Sequence, residues 1–215
     1  MTWAEYCAAW SRLHGGFDPA TASPVVRGWV LTAYKIGSWL GGKRIGPSAV
    51  TTAGLVLCLC VPGAVSLGRA GLLAGAVLVL LAALADGLDG AVAVITDRAS
   101  RLGYVYDSVA DRLGEAAWLY AFWLAGAPGG LVVAAGAASW LQEYARARAA
   151  SAGMTEIGVV TVAERPTRVL VAIFGLLLGF ALSQLVTVAM IIWVALAGAG
   201  LLQLLIAVRR DLGDH

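Results

Sequence analysis

Residues 86–111 read DGLDGAVAVITDRASRLGYVYDSVAD, a stretch that places four aspartates at spacings able to do chemistry. At about 100° per helical residue, Asp86 and Asp89 lie about 60° apart on one helix, and Asp107 and Asp111 about 40° apart on the next. A short connection makes the two helices antiparallel neighbours, so both pairs can converge on one point. That much negative charge needs a partner. Arg98, Arg101 and Arg112 could supply salt bridges, a reading in which metal has no effect. An all-carboxylate donor set with no His or Cys beside it suits hard Mg²⁺ or Mn²⁺ better than Zn²⁺, and four carboxylates can bridge two such ions. Two ions held together are suited to phosphoryl transfer.

Small residues accompany the acids. Gly87, Gly90, Ala91 and Ala93 thin the first helix, and Gly103 the second, which leaves room for a ligand against backbone or for close helix packing.

The elements that must position these residues are membrane helices. With 60% hydrophobic and 13% charged residues in 215, the chain is too apolar for an ordinary water-soluble domain. Six apolar runs reach the roughly 20 residues that cross a bilayer. They cover residues 47–67, 71–96, 102–126, 129–149, 166–183 and 187–208. Long continuous runs predict helices, not barrel strands, so the fold class is all-α. The expected organisation is one domain over residues 1–215, with an N-terminal segment at 1–46 and a six-helix bundle at 47–208. Residues 24–40 mix Trp29, Ile36 and Trp39 with Arg27 and Lys35, which suits an amphipathic helix at headgroup level or a short buried connector. A carboxylate in mid-membrane costs roughly 2.5–3.5 kcal/mol, so the four aspartates also need compensation on that ground.

Basic residues are one-sided. Arg27, Lys35, Lys43 and Arg44 precede the first run; Arg98 and Arg101 follow the second; Arg146, Arg148, Arg165 and Arg168 flank the link between the fourth and fifth; Arg209 and Arg210 follow the sixth. The positive-inside rule then puts both termini and the aspartates on the cytoplasmic side. The opening MTWAEYCAAWSRLHGG lacks a basic start followed by an apolar run, so no cleaved signal peptide is expected. Cys7, Cys58 and Cys60 read as packing residues.

In register, Asp86, Asp89, Gly90, Ala93, Gly103, Asp107 and Asp111 resemble the signature of the CDP-alcohol phosphotransferases, Asp-x-x-Asp-Gly-x-x-Ala-Arg followed by Gly-x-x-x-Asp-x-x-x-Asp. Val94 departs from it, standing where the signature has Arg; Arg98 or Arg101 is the candidate substitute. RIGPSAVTTAGL, before the first run, is similar to the family's Pro-Asn-x-Val-Thr entry with Ser48 for Asn, and YARAR and ERPTR resemble the actinobacterial phosphatidylinositol-phosphate synthase branch.

The resemblance implies a phospholipid-synthesising transferase in the cytoplasmic (inner) membrane of a bacterium, with no nucleic-acid partner. Its donor would be CDP-diacylglycerol, its acceptor inositol phosphate or, second, glycerol 3-phosphate, and its by-product CMP. Two Mg²⁺ or Mn²⁺ ions would sit on Asp86, Asp89, Asp107 and Asp111, with Asp111 as the catalytic base. Gly90, Ala93 and Asp86 would bind the nucleotide, and Arg146, Arg148, Arg165 and Arg168 the acceptor's phosphate. A homodimer is implied as well. Two other classes fit the acids: a catalytically silent nucleotide-lipid-binding relative, and an ion-coupled transporter. CMP release separates the enzyme from the first, and the crowding of acids at one membrane edge without repeated halves argues against the second.

Overall fold

The computed structural model describes residues 1–13, 18–154 and 161–213; Glu156, an acid to which the sequence assigns no chemistry, lies outside them. Every regular element among the described residues is helical: α1 (Trp3–Leu13), α2 (Pro24–Gly42), α3 (Pro47–Val65), α4 (Arg69–Ile95), α5 (Arg101–Leu124), α6 (Gly129–Ser151), α7 (Arg165–Ala181) and α8 (Gln184–Leu212). All-α is what the long apolar runs dictate. By length and composition, α3, α4 and α8 are the helices among the described residues that are apolar enough to cross a membrane. Helix α5 carries five charged side chains between Arg101 and Glu115, α6 carries three between Glu143 and Arg148, and α7 has 17 residues.

The chain forms two compact units, Met1–Val56 with Leu81–Asp111, and Leu57–Leu80 with Arg112–His215. The boundaries fall inside α3, α4 and α5 and not in linkers.

In the first unit, α2 starts sharply. Ser23 caps it by accepting from the Val26 amide, and Pro24 supplies a pre-set first residue whose missing N–H costs nothing there. Helix α1 packs on α2 through Trp3, Tyr6 and Tyr34, whose rings meet at 5.3–6.0 Å. Tyr6, Val30, Ala33 and Ala91 form a buried apolar cluster against which Val94 and Ile95 of α4 pack. Helix α4 then ends in a Schellman turn. The Arg98 amide donates to Ala93 O at 2.9 Å, the Asp97 amide to Val94 O at 3.3 Å, and Asp97 takes φ 53°. Glycine usually occupies that left-handed position, and aspartate is among the few other residues that tolerate it. Ser100 receives the Gly103 amide at 3.0 Å and so opens α5.

In the second unit, α8 packs against both α6 and α7. Trp118, Phe122 and Trp193 are fully buried, with Trp193 Nε1 donating to Ser139 Oγ at 3.1 Å. Small residues set the spacing: a Cβ on Gly175 would come within 2.7 Å of Ala189 Cβ and of the Phe122 ring. Arg69 caps the end of α7, donating from Nε to Phe180 O at 2.7 Å while its guanidinium lies over the Phe180 ring.

Candidate functional site

Helix α4 carries Asp86 and Asp89 in its last three turns, and α5 carries Asp107 in its second. One carboxylate oxygen from each of these three lies within 4.8 Å of the others. The convergence expected from spacing therefore occurs for three of the four aspartates. Asp111 lies one turn further along α5, half-buried and outside that group. Asp89 is only 8% exposed, while Asp86 and Asp107 are half-buried.

A cavity of about 210 Å³ opens on two of the three: Asp89 and Asp107 line it, with Thr51, Gly90, Ala93 and Arg98 among their neighbours there, while Asp86 is not among the lining residues. The glycines divide their work. A Cβ on Gly87 would come within 3.0 Å of the Trp29 ring, so Gly87 serves packing against α2. Gly90 has nothing within 4 Å and leaves the cavity wall open. Val94 is taken up by packing against the α1–α2 cluster.

A threonine to which the sequence motif assigns no role completes the arrangement. Thr51 Oγ1, on α3, donates to Asp89 Oδ2 at 2.5 Å and is itself buried. One residue on, Thr52 Oγ1 and Tyr106 OH meet at 2.8 Å, which ties α3 to α5 beside Asp107. The Pro-Ser-Ala-Val-Thr entry to α3 was the available clue, since it puts Thr51 one turn into the helix. Groups that orient a ligating carboxylate typically matter 10–100-fold to metal affinity. Thr51→Val should accordingly raise the metal concentration for half-maximal thermal stabilisation by about 10- to 100-fold, with Thr51→Ser close to wild type. An unchanged metal titration in Thr51→Val would show that Asp89 needs no such restraint.

The basic residues form a second cluster, on α5, α6 and α7. Arg168 is 2% exposed and is held by two carboxylates: Nε lies 2.8 Å from Glu115 Oε1, and Nη2 donates to Glu143 Oε1 at 2.6 Å. Arg112 sits 3.2 Å from Glu143 and 3.6 Å from Glu115. Glu115 is fully buried, a role the sequence could not distinguish from an ordinary interfacial acid. Arg146 Nη2 donates to Glu164 Oε1 at 2.5 Å, and Glu164 also accepts from the Thr161 amide and hydroxyl. Arg148 is exposed and Arg165 half-buried. Arg168 Nη1 and Arg146 Nε are buried without a hydrogen-bond partner among the described residues.

Three converging carboxylates, two of them lining a cavity, fit a hard divalent ion. Their oxygens are close enough to share one, and no nitrogen or sulfur ligand joins them among the described residues. Fold and site thus define a helical, membrane-type protein in which three aspartates meet closely enough to hold a divalent ion. The sequence model of the CDP-alcohol phosphatidyltransferases matches residues 44–201, a span that includes the whole aspartate site, and the chain belongs to that family. It is a metal-dependent phosphotransferase of phospholipid synthesis.

Individual relatives narrow the comparison. An archaetidylinositol phosphate synthase from Pyrococcus horikoshii is 31% identical over 165 residues, covering 74% of this chain and 84% of that protein. A phosphatidylinositol phosphate synthase from Mycolicibacterium smegmatis is 37% identical over 139 residues, 60% of each chain. Among solved structures, Mycobacterium tuberculosis phosphatidylinositol phosphate synthase in complex with manganese and citrate superposes with a TM-score of 0.71 at 25% identity, covering 82% of this chain and 88% of that one. The same enzyme with CDP-DAG bound gives a TM-score of 0.68 at 25% identity, covering 82% and 93%.

Proposed function

We propose that this chain transfers the phosphatidyl group of CDP-diacylglycerol to a hydroxyl of inositol phosphate and releases CMP. The observation that carries this reading is the meeting of Asp86, Asp89 and Asp107, two of which, Asp89 and Asp107, line a cavity that Gly90 leaves open. The donor is supported by the solved relative with CDP-DAG bound, and the acceptor by relatives named as inositol phosphate lipid synthases. Glycerol 3-phosphate is the second acceptor to test.

In this reading Asp86, Asp89 and Asp107, with Asp111 at the margin, hold two Mg²⁺ or Mn²⁺ ions. Bound there, such ions neutralise the diphosphate and the charge that builds on the departing CMP. Asp111, one turn beyond Asp107 on α5, is the base in this reading. As the acceptor oxygen bonds to the phosphatidyl phosphorus, its proton passes to the Asp111 carboxylate. The bond from that phosphorus to the bridging oxygen breaks, and CMP leaves with that oxygen. Gly90 and Ala93 form the cytidine side of the pocket, together with Asp86. Arg146, Arg148, Arg165 and Arg168 take the acceptor's phosphate, with Arg146 and Arg168 already aimed by Glu164 and by Glu115 and Glu143.

The same reading has α3 to α8 crossing the membrane, with both termini and the aspartates on the cytoplasmic side. Helix α2 lies at the headgroups, where its exposed Trp29, Ile36 and Trp39 have an apolar phase to enter. The deciding experiment follows CMP release from CDP-diacylglycerol by purified protein with Mg²⁺ or Mn²⁺, offering inositol phosphate, glycerol 3-phosphate and inositol in turn. Release with inositol phosphate is expected, and Asp111→Asn should lose it by about 100-fold or more. Release only with another acceptor would reassign the arginines, and no release with any would remove the donor.

A further inference from the structure

The family signature has an arginine after its alanine, and this chain has Val94 there, directed into apolar packing. The aspartate cavity nevertheless has a cation. Arg98 is among its lining residues, together with Asp89, Gly90, Ala93 and Asp107. Two features of the backbone put it there. Asp97 adopts the left-handed conformation, and the Arg98 amide is fastened back to Ala93 O, so the chain reverses at the end of α4 and does not run on past it. The guanidinium then reaches across to the start of α3, with Nη1 3.7 Å from where a Cβ on Gly46 would stand.

Arg98 is not consumed by the protein's own acids. It is exposed, and among the described residues no carboxylate forms an ion pair with it, in contrast to Arg112, Arg146 and Arg168. An arginine without a carboxylate partner, at the rim of a cavity built to bring phosphate oxygens to metal-binding aspartates, has one fitting ligand chemistry. That ligand is a diphosphate, which a guanidinium can engage with two parallel donors.

We propose that Arg98 is the donor-binding arginine of this chain: it contacts the diphosphate of the cytidine nucleotide and replaces, from the turn after α4, the arginine missing at position 94. The inference rests on the donor reading above. It also separates Arg98 from Arg101, three residues on, which is exposed and is not among the residues lining the cavity.

The test is CDP binding to the purified full-length protein with Mn²⁺ present, by calorimetry, alongside KM for CDP-diacylglycerol. Arg98→Gln should weaken CDP binding about 10- to 100-fold, the range for a lost hydrogen bond to a charged group. KM should rise in step, Arg98→Lys should recover part of the loss, and Arg101→Gln should bind as wild type. The Arg98 side chain is exposed, so melting without ligand should be unchanged, which distinguishes a lost contact from a damaged fold. Equal CDP affinity in wild type and Arg98→Gln, or a loss confined to Arg101→Gln, overturns the proposal and leaves the donor reading intact. If wild type itself does not bind CDP, the donor reading falls and this inference with it.

Discussion

Asp89→Asn is expected to invert the effect of metal on this protein: without metal the variant should melt higher than wild type, and with saturating Mg²⁺ or Mn²⁺ it should melt lower. The sign follows from three carboxylates whose oxygens lie within 4.8 Å of one another, with Asp89 only 8% exposed. Two unit charges at that separation repel by about 3 kcal/mol at an effective dielectric of about 20, and burial adds a desolvation cost. Asparagine keeps the shape and an oxygen to accept from Thr51, so the substitution relieves repulsion without opening a void. It also removes a negative ligand, and the metal should then contribute much less. Because a catalytic metal supplies several kcal/mol to a phosphoryl-type transition state, CMP release should fall by about a thousandfold or more. Thermal melting with and without metal, paired with the release assay, checks both halves. If metal moves neither protein and Asp89→Asn melts lower throughout, the aspartates are held by the chain's own cations, and the metal centre is wrong.

Much of this was legible from residue type and period. The six long apolar runs map onto α3 to α8 within a few residues at each end, because a continuous apolar run bounded by charged and turn-forming residues leaves a helix little freedom about where it can stop. The reading of residues 24–40 as a helix likewise meets α2. Helix α1 was missed. Its signal is Trp3, Tyr6, Cys7 and Trp10 at helical spacing, but at 11 residues it is far shorter than the apolar runs that dominate the chain. The convergence of Asp86, Asp89 and Asp107 was readable because helical angle and a short connection leave few alternatives.

What escaped depends on contacts between segments distant in sequence. Gly87 and Gly90 look equivalent on paper, yet Trp29, almost 60 residues away, fills the space beside one and nothing fills the space beside the other. Thr51 and Asp89 are 38 residues apart, so no local pattern pairs them. The turn that brings Arg98 to the cavity depends on Asp97 entering a conformation usually left to glycine, which composition does not announce. Glu115, one turn beyond Asp111, gives no sign in the sequence that it is buried more deeply than Asp86, Asp89 or Asp107.

That buried glutamate should have the largest effect on stability. Glu115 and Glu143 face Arg112 and Arg168, two charges of each sign, with Glu115 fully buried and Arg168 nearly so. Removing Glu115 leaves Arg168 with Glu143 as its remaining carboxylate partner, in a place water does not reach. Breaking a buried pair on one side typically costs 3–5 kcal/mol, because the surviving charge stays desolvated, so Glu115→Ala should destabilise by about that amount. Replacing both partners differs in kind. Glu115→Leu with Arg168→Met removes both charges together and should recover most of the lost stability, since an apolar pair of similar size has no desolvation cost. Glu164→Ala is a useful comparison: its partner Arg146 is about 20% exposed, so solvent screens the loss and the effect should be smaller. Activity then reports on what the cluster is for. If the double variant is stable but inert, the Glu115–Arg168 pair aims Arg168 at the acceptor, and its cost is borne for binding; if it is stable and active with unchanged KM for inositol phosphate, the pair only fastens α5 to α7, and the acceptor's phosphate belongs to Arg146, Arg148 and Arg165.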